Sequence, residues 1–106
     1  MKTVVIFRKE RGGSIVAVMP YEIADLAGNM TSYSHIGQHS ALSPEYLRDT
    51  TPAREDEYRE LLDELVNIVG YDPEIRRRIN WGKYSGRVQE TRRRYTEDEK
   101  EDQGKK

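Results

Sequence analysis

His35 and His39 are the only two histidines of the chain, and they flank Ile36-Gly37-Gln38. On a helix, imidazoles four residues apart share a face, as paired metal ligands do. Here the preceding run Met30-Thr31-Ser32-Tyr33-Ser34-His35-Ile36 reads as a strand, and Gly37 turns the chain away from it. A metal site would need at least a third ligand, for which Asp25, Glu22 and Glu45 are the candidates. The simpler reading stacks His35 on a sheet and leaves His39 and Gln38 to hydrogen-bond the backbone of the turn. We therefore mark His35, Gln38 and His39 as a candidate ligand-binding group, with no metal ligand among them. Ser34 and Ser40 lie beside these histidines, but a hydrolase needs a third group to orient its base. The sequence locates none, so no residue is taken as catalytic, no cofactor is expected, and an enzyme is the disfavoured class.

The second group with chemistry is cationic. Arg76-Arg77-Arg78 and Arg92-Arg93-Arg94 are two triplets, with Lys83 and Arg87 between them and Trp81, Tyr84 and Tyr95 interleaved. Guanidinium groups grip phosphate bidentately, and aromatic faces stack on bases. These eight cations are the candidate nucleic-acid-binding residues. Residues 1–75 carry 7 basic and 13 acidic side chains, whereas residues 76–95 carry 8 basic and one acidic. The asymmetry points to an anionic partner. Its competitor is internal: the net charge is only −1, so the arginines can pair with acidic residues of the same chain. Glu55, Asp56, Glu57, Glu60, Asp63 and Glu64 read as the solvated face of an amphipathic helix rather than as paired carboxylates. Arg11-Gly12-Gly13-Ser14 lacks the spacing of a phosphate loop and reads as a hairpin turn.

These groups need a scaffold. Thr3–Arg8 and Ser14–Met19 are β-branched or apolar runs joined by Gly12-Gly13, the pattern of an antiparallel hairpin, and Pro20 is expected to stop the second strand. Ser43-Pro44-Glu45 opens one short helical turn. The strongest signal is a helix over residues 52–69, with Thr51 as N-cap, Pro52 in its first turn and Gly70 after its last residue. Tyr58, Leu61, Leu62, Leu65 and Val69 line one of its faces. From Tyr71 to Trp81 strand and helix patterns compete: Ile75, Ile79 and Trp81 alternate as in a strand, while Asp72-Pro73-Glu74 could open a helix. The predicted fold is α+β, a small antiparallel sheet of three or four strands with one main amphipathic helix on one face.

The chain's 106 residues fit one domain, expected over residues 1–82, followed at 83–106 by a charged and flexible tail. That tail holds 14 charged side chains and, among sizeable apolar groups, only Tyr84, Val88 and Tyr95. The absence of cysteine favours a reducing compartment. The apolar run at the N-terminus is too short for a signal-peptide core, and nothing approaches the ~20 apolar residues of a membrane span. A cytoplasmic protein with no membrane partner is expected.

The block Ser32-Tyr33-Ser34-His35-Ile36-Gly37-Gln38-His39-Ser40 is the most distinctive stretch. Taken with Val5-Ile6-Phe7-Arg8-Lys9, the strand from Gly13 to Met19, and Glu57-Tyr58…Leu61…Glu64-Leu65…Gly70-Tyr71-Asp72, it resembles a family of small uncharacterised proteins of bacteria, phages and mobile elements. The resemblance covers about residues 3–79 and implies a shared fold without a reaction. In similar proteins the segment after Gly-Tyr-Asp looks like a strand of alternating aliphatic and basic residues, which favours a strand at 74–80. Three functions stay open: an accessory module that contacts a protein or a second copy of itself, a nucleic-acid-associated protein using the arginines, and a small enzyme or metal binder around His35, Gln38 and His39.

Overall fold

The computed structural model describes residues 2–35 and 38–104, with side chains followed through Glu97. The turn expected at Ile36-Gly37 lies outside the described residues. Strands β1 (Thr3–Lys9) and β2 (Ile15–Ile23) form the expected hairpin, with Phe7 opposite Ala17. Its turn is closed by Glu10 N–H to Ser14 O at 2.8 Å and by Gly13, whose φ of 93° is open to glycine at little steric cost. Strand β3 (Met30–Ser34) pairs with β2, and β4 (Gln38–Leu42) pairs with β3, both antiparallel.

Pro20 does not end β2. The strand carries it in a register shift between Met19 and Ile23, where a missing N–H costs no ladder bond. Two short strands share the far edge of β1. Strand β5 (Thr51–Pro52) pairs antiparallel with its C-terminal end, and β6 (Pro73–Ile75) pairs parallel with its N-terminal end. The sheet is thus six-stranded and mixed, in the order β4-β3-β2-β1-β5 with β6 beside β1. This corrects the expected three or four antiparallel strands. The parallel pairing joins Thr3 to Pro73, a contact that no local pattern encodes.

Each face of the sheet has its own core. On one face Val5, Phe7, Ala17, Met19 and Tyr33 pack against Leu61 and Leu65. These leucines belong to helix α2 (Glu55–Glu64) and to the single π-helical turn that follows it, Leu65–Val69. The helix therefore begins three residues later than predicted, because Thr51 and Pro52 are drawn into the sheet. Arg54 occupies the N-cap position, and its N–H donates to Glu57 Oε1 at 3.0 Å. Gly70 ends the turn as expected, at φ 91° in the left-handed region. Phe7 and Tyr58 stack with ring centroids 4.2 Å apart.

On the other face Val16, Val18, Met30 and Leu42 meet Leu47 of helix α1 (Pro44–Leu47), together with Ile79 and Tyr84. Ser43 caps α1 by accepting from Tyr46 N–H at 3.1 Å. Most of the stretch 83–106 lies in helix α3 (Trp81–Gly104). The early turns of α3 rest on the domain: Tyr84 joins the second core and its hydroxyl donates to Gly28 O at 2.5 Å, while Val88 lies against Gly28. Among the described residues, no helix is long and apolar enough to cross a membrane.

Candidate functional site

The arginine-rich stretch is positioned by the end of β6. Arg76 N–H donates to Val5 O at 3.0 Å, the last tie to the sheet, and the chain then bends away through Arg77 and Arg78. It is recaptured at Asn80, whose side chain accepts from Lys83 N–H at 3.1 Å and so caps α3. Asn80 N–H is itself held by the Tyr21 hydroxyl at 2.8 Å. Asn before an aromatic helix start is an N-cap signal present in the sequence; the preference for a strand at 74–80 passed over it. The observed strand is confined to Pro73–Ile75.

This bend places Arg77, Arg78 and Ile79 over the sheet face that α1 also covers. Between them lies a groove of about 350 Å³ whose lining includes Ile6, Leu47, Arg8, Arg48 and Trp81. Among the described residues, no carboxylate lines it. Arg8 follows Ile6 by two residues on β1 and so points to the same face. Its Nε donates to Thr50 Oγ1 at 2.8 Å and a terminal nitrogen donates to Thr50 O at 2.7 Å, which fixes the guanidinium. Burial lowers its pKa, but a guanidinium stays charged at any physiological pH. Among the described residues, Arg48, Arg77 and Arg78 form no ion pair.

The indole of Trp81 is half exposed at the rim of this groove. It packs edge to face on Tyr84, with centroids 5.5 Å apart and planes at 85°. Burial of Tyr84 raises its phenol pKa, so the hydroxyl keeps the proton it donates to Gly28. An adjoining cleft shares Arg78 and Ile79 and adds Arg76, Asn80 and Lys83. There Arg76 is paired with Glu74 at 3.1 Å, and the Lys83 ammonium sits 4.6 Å from the Tyr21 ring centroid.

The predicted set of eight cations is therefore divided. Arg77 and Arg78 are brought together with Arg8 and Arg48, which the sequence reading missed. Arg76 and Lys83 stand next door, each with a partner. Arg87 and Arg94 are both held by Glu90, at 3.5 and 2.7 Å, and Arg92 Nε donates to Leu26 O at 2.9 Å. Arg93 forms no ion pair among the described residues. Arg92–Arg94 follow Trp81 by 11–13 residues, which at ~1.5 Å per residue puts them ~17–20 Å along α3, outside the groove.

The histidine group lies on the opposite face. His35 Nδ1 is 2.6 Å from Glu64 Oε2, and the Tyr33 hydroxyl donates to Glu64 Oε1 at 2.5 Å. Glu64 is only 9% exposed, which corrects its assignment to the solvated helix face. It is the last residue of α2, and the π-helical turn begins beside it. His39 stands edge on to Tyr33, with centroids 4.9 Å apart, and its Nε2 faces the Tyr71 hydroxyl at 3.4 Å. Burial, and secondarily the charge of Glu22, raises the Tyr71 phenol pKa. Gln38 is exposed at the start of β4, opposite Ser34.

The two imidazoles thus take different partners instead of converging on one point. Asp25, one of the three proposed third ligands, accepts from the backbone and side chain of Asn29, at 3.1 and 2.8 Å. Among the described residues, no three His, Asp or Glu side chains are grouped to hold a metal ion. An open hollow beside His35 is walled by Glu60, Asp63, Asn67 and Ile68. Compared with family models, with curated proteins and with solved structures, the chain matches none.

Proposed function

We propose that this chain is a non-enzymatic accessory protein that binds the phosphate backbone of nucleic acid in the groove between α1 and the start of α3. One observation carries this reading: Arg48, Arg77 and Arg78, none of them ion-paired among the described residues, line a single carboxylate-free groove with the fixed guanidinium of Arg8. Like charges brought together without counter-charges repel, and a polyanion removes that cost while releasing its own condensed counterions. The resemblance to small phage and mobile-element proteins and a cytoplasmic location belong to the same proposal.

Fluorescence anisotropy of a labelled oligonucleotide, titrated at several salt concentrations, tests it. Affinity should fall linearly with salt on logarithmic axes. Arg77→Ala and Arg78→Ala should each reduce that slope by about 1. Binding that is absent, or insensitive to salt, overturns the reading.

A second reading is contact with a protein or another copy of this chain through a sheet edge. It is favoured by β4, a terminal strand of the sheet with four of its five residues exposed. Unpaired strand edges template such pairing. Sedimentation velocity over a range of concentrations tests the self-associating form, which a chain that stays monomeric throughout would remove.

A further inference from the structure

The groove holds more than cations. Its floor includes Ile6, Leu47 and Ile79, and the chain's only tryptophan stands at its rim. A site for phosphate alone has no use for such a surface. Apolar walls with a few convergent charged groups are what an aromatic ligand requires, and about 350 Å³ lies within the ~300–1,000 Å³ of ligand pockets. Trp81 is held by its edge-to-face contact with Tyr84, and Tyr84 is anchored in turn by its bond to Gly28. The indole is therefore preorganised although it is 50% exposed. A planar ring fixed beside three guanidinium groups that form no ion pair among the described residues offers stacking and backbone neutralisation together.

Resting on the proposed nucleic-acid reading, we infer that the groove is a single-strand site: an unpaired base stacks on Trp81 against Leu47 and Ile79 while Arg48, Arg77 and Arg78 hold the flanking phosphates. In a duplex the base faces are occupied by their neighbours, so this surface discriminates against paired strands. Base stacking tolerates any sequence, because every base has a π-face. Discrimination by base identity is not expected.

Intrinsic fluorescence reports this contact alone, since there is no second tryptophan. The native chain is titrated with a single-stranded 12-mer, with the duplex of the same sequence and with an abasic 12-mer. The single strand should quench Trp81 and bind at least ten times more tightly than the duplex, while the abasic strand binds weakly without quenching. Trp81→Ala should weaken single-strand binding by roughly 5- to 150-fold, the range for loss of one stacked base. Trp81→Phe should recover most of it. Circular dichroism of each variant separates a lost contact from a lost fold, and quenching of the native chain needs no variant at all. Equal, salt-sensitive binding of all three ligands without quenching overturns the stacking site and leaves the phosphate reading standing. Failure of all three to bind at low salt overturns both.

Discussion

Two charged groups sit on opposite faces of one sheet and have opposite fates. Behind α2, Glu64 is buried and shared between the Tyr33 hydroxyl and the His35 imidazole. A carboxylate taken out of water is tolerated only when its lone pairs are used, so Glu64 serves the fold, while the His35 ring beside it stays largely exposed. In front of α1, Arg48, Arg77 and Arg78 share a groove that no carboxylate among the described residues lines. Among the described residues, none forms an ion pair with them. The comparison separates residues whose chemistry is consumed by the structure from residues whose chemistry the structure leaves available. In the sequence the arginine clusters are the stronger functional lead; of the histidines, His35 is engaged by Glu64 and His39 by Tyr33 and Tyr71.

The largest expected effects fall on the Glu64 side. Leu65, the first residue of the π-helical turn, is fully buried, and Leu65→Ala should cost about 2–5 kcal/mol in chemical denaturation. Glu64→Ala leaves the Tyr33 hydroxyl without its buried acceptor and should cost about 1–3 kcal/mol. A Glu64→Ala variant as stable as the parent, yet altered in binding, would reverse the comparison and make the histidine face the working one.

Gly28→Ala should loosen α3. Its φ of 89° strains any other residue, and the added methyl would meet the Tyr84 hydroxyl at 3.0 Å. Faster amide exchange over residues 81–88, with the core strands unchanged, is the expected signature. Arg77→Ala and Arg78→Ala should each change stability by no more than about 0.5 kcal/mol, since neither side chain forms an ion pair among the described residues. A larger loss would mean that these arginines are structural after all.

The smallest effect is one of pH. The hydrogen bond from Lys9, at 2.7 Å, holds the Glu57 carboxyl below its ordinary value of 4.5. A depressed carboxylate binds fewer protons folded than unfolded. Its contribution is therefore complete above pH 4.5 and is lost as the pH falls through the folded value. Lys9→Met should flatten the acid limb of a thermal-stability profile by slightly lowering stability at neutral pH, while leaving the most acidic pH nearly unchanged.

The sequence by itself determined the elements whose cause is local. The β-branched runs around Gly12-Gly13 specify the hairpin, the stripe Tyr58, Leu61, Leu62, Leu65 specifies the inner face of α2, Ser43 caps α1, and Gly70 supplies the left-handed residue that ends the π-helical turn. Each follows from propensity or period within a few residues of chain. Only the tertiary structure decided that Pro73–Ile75 lies parallel to Thr3–Val5, that Glu64 is buried, and that Arg8 and Arg48 meet Arg77 and Arg78. Those outcomes join residues tens of positions apart. A carboxylate on a helix or an arginine on a strand reads the same whether it faces water or a partner, and what it faces is settled only when the elements pack.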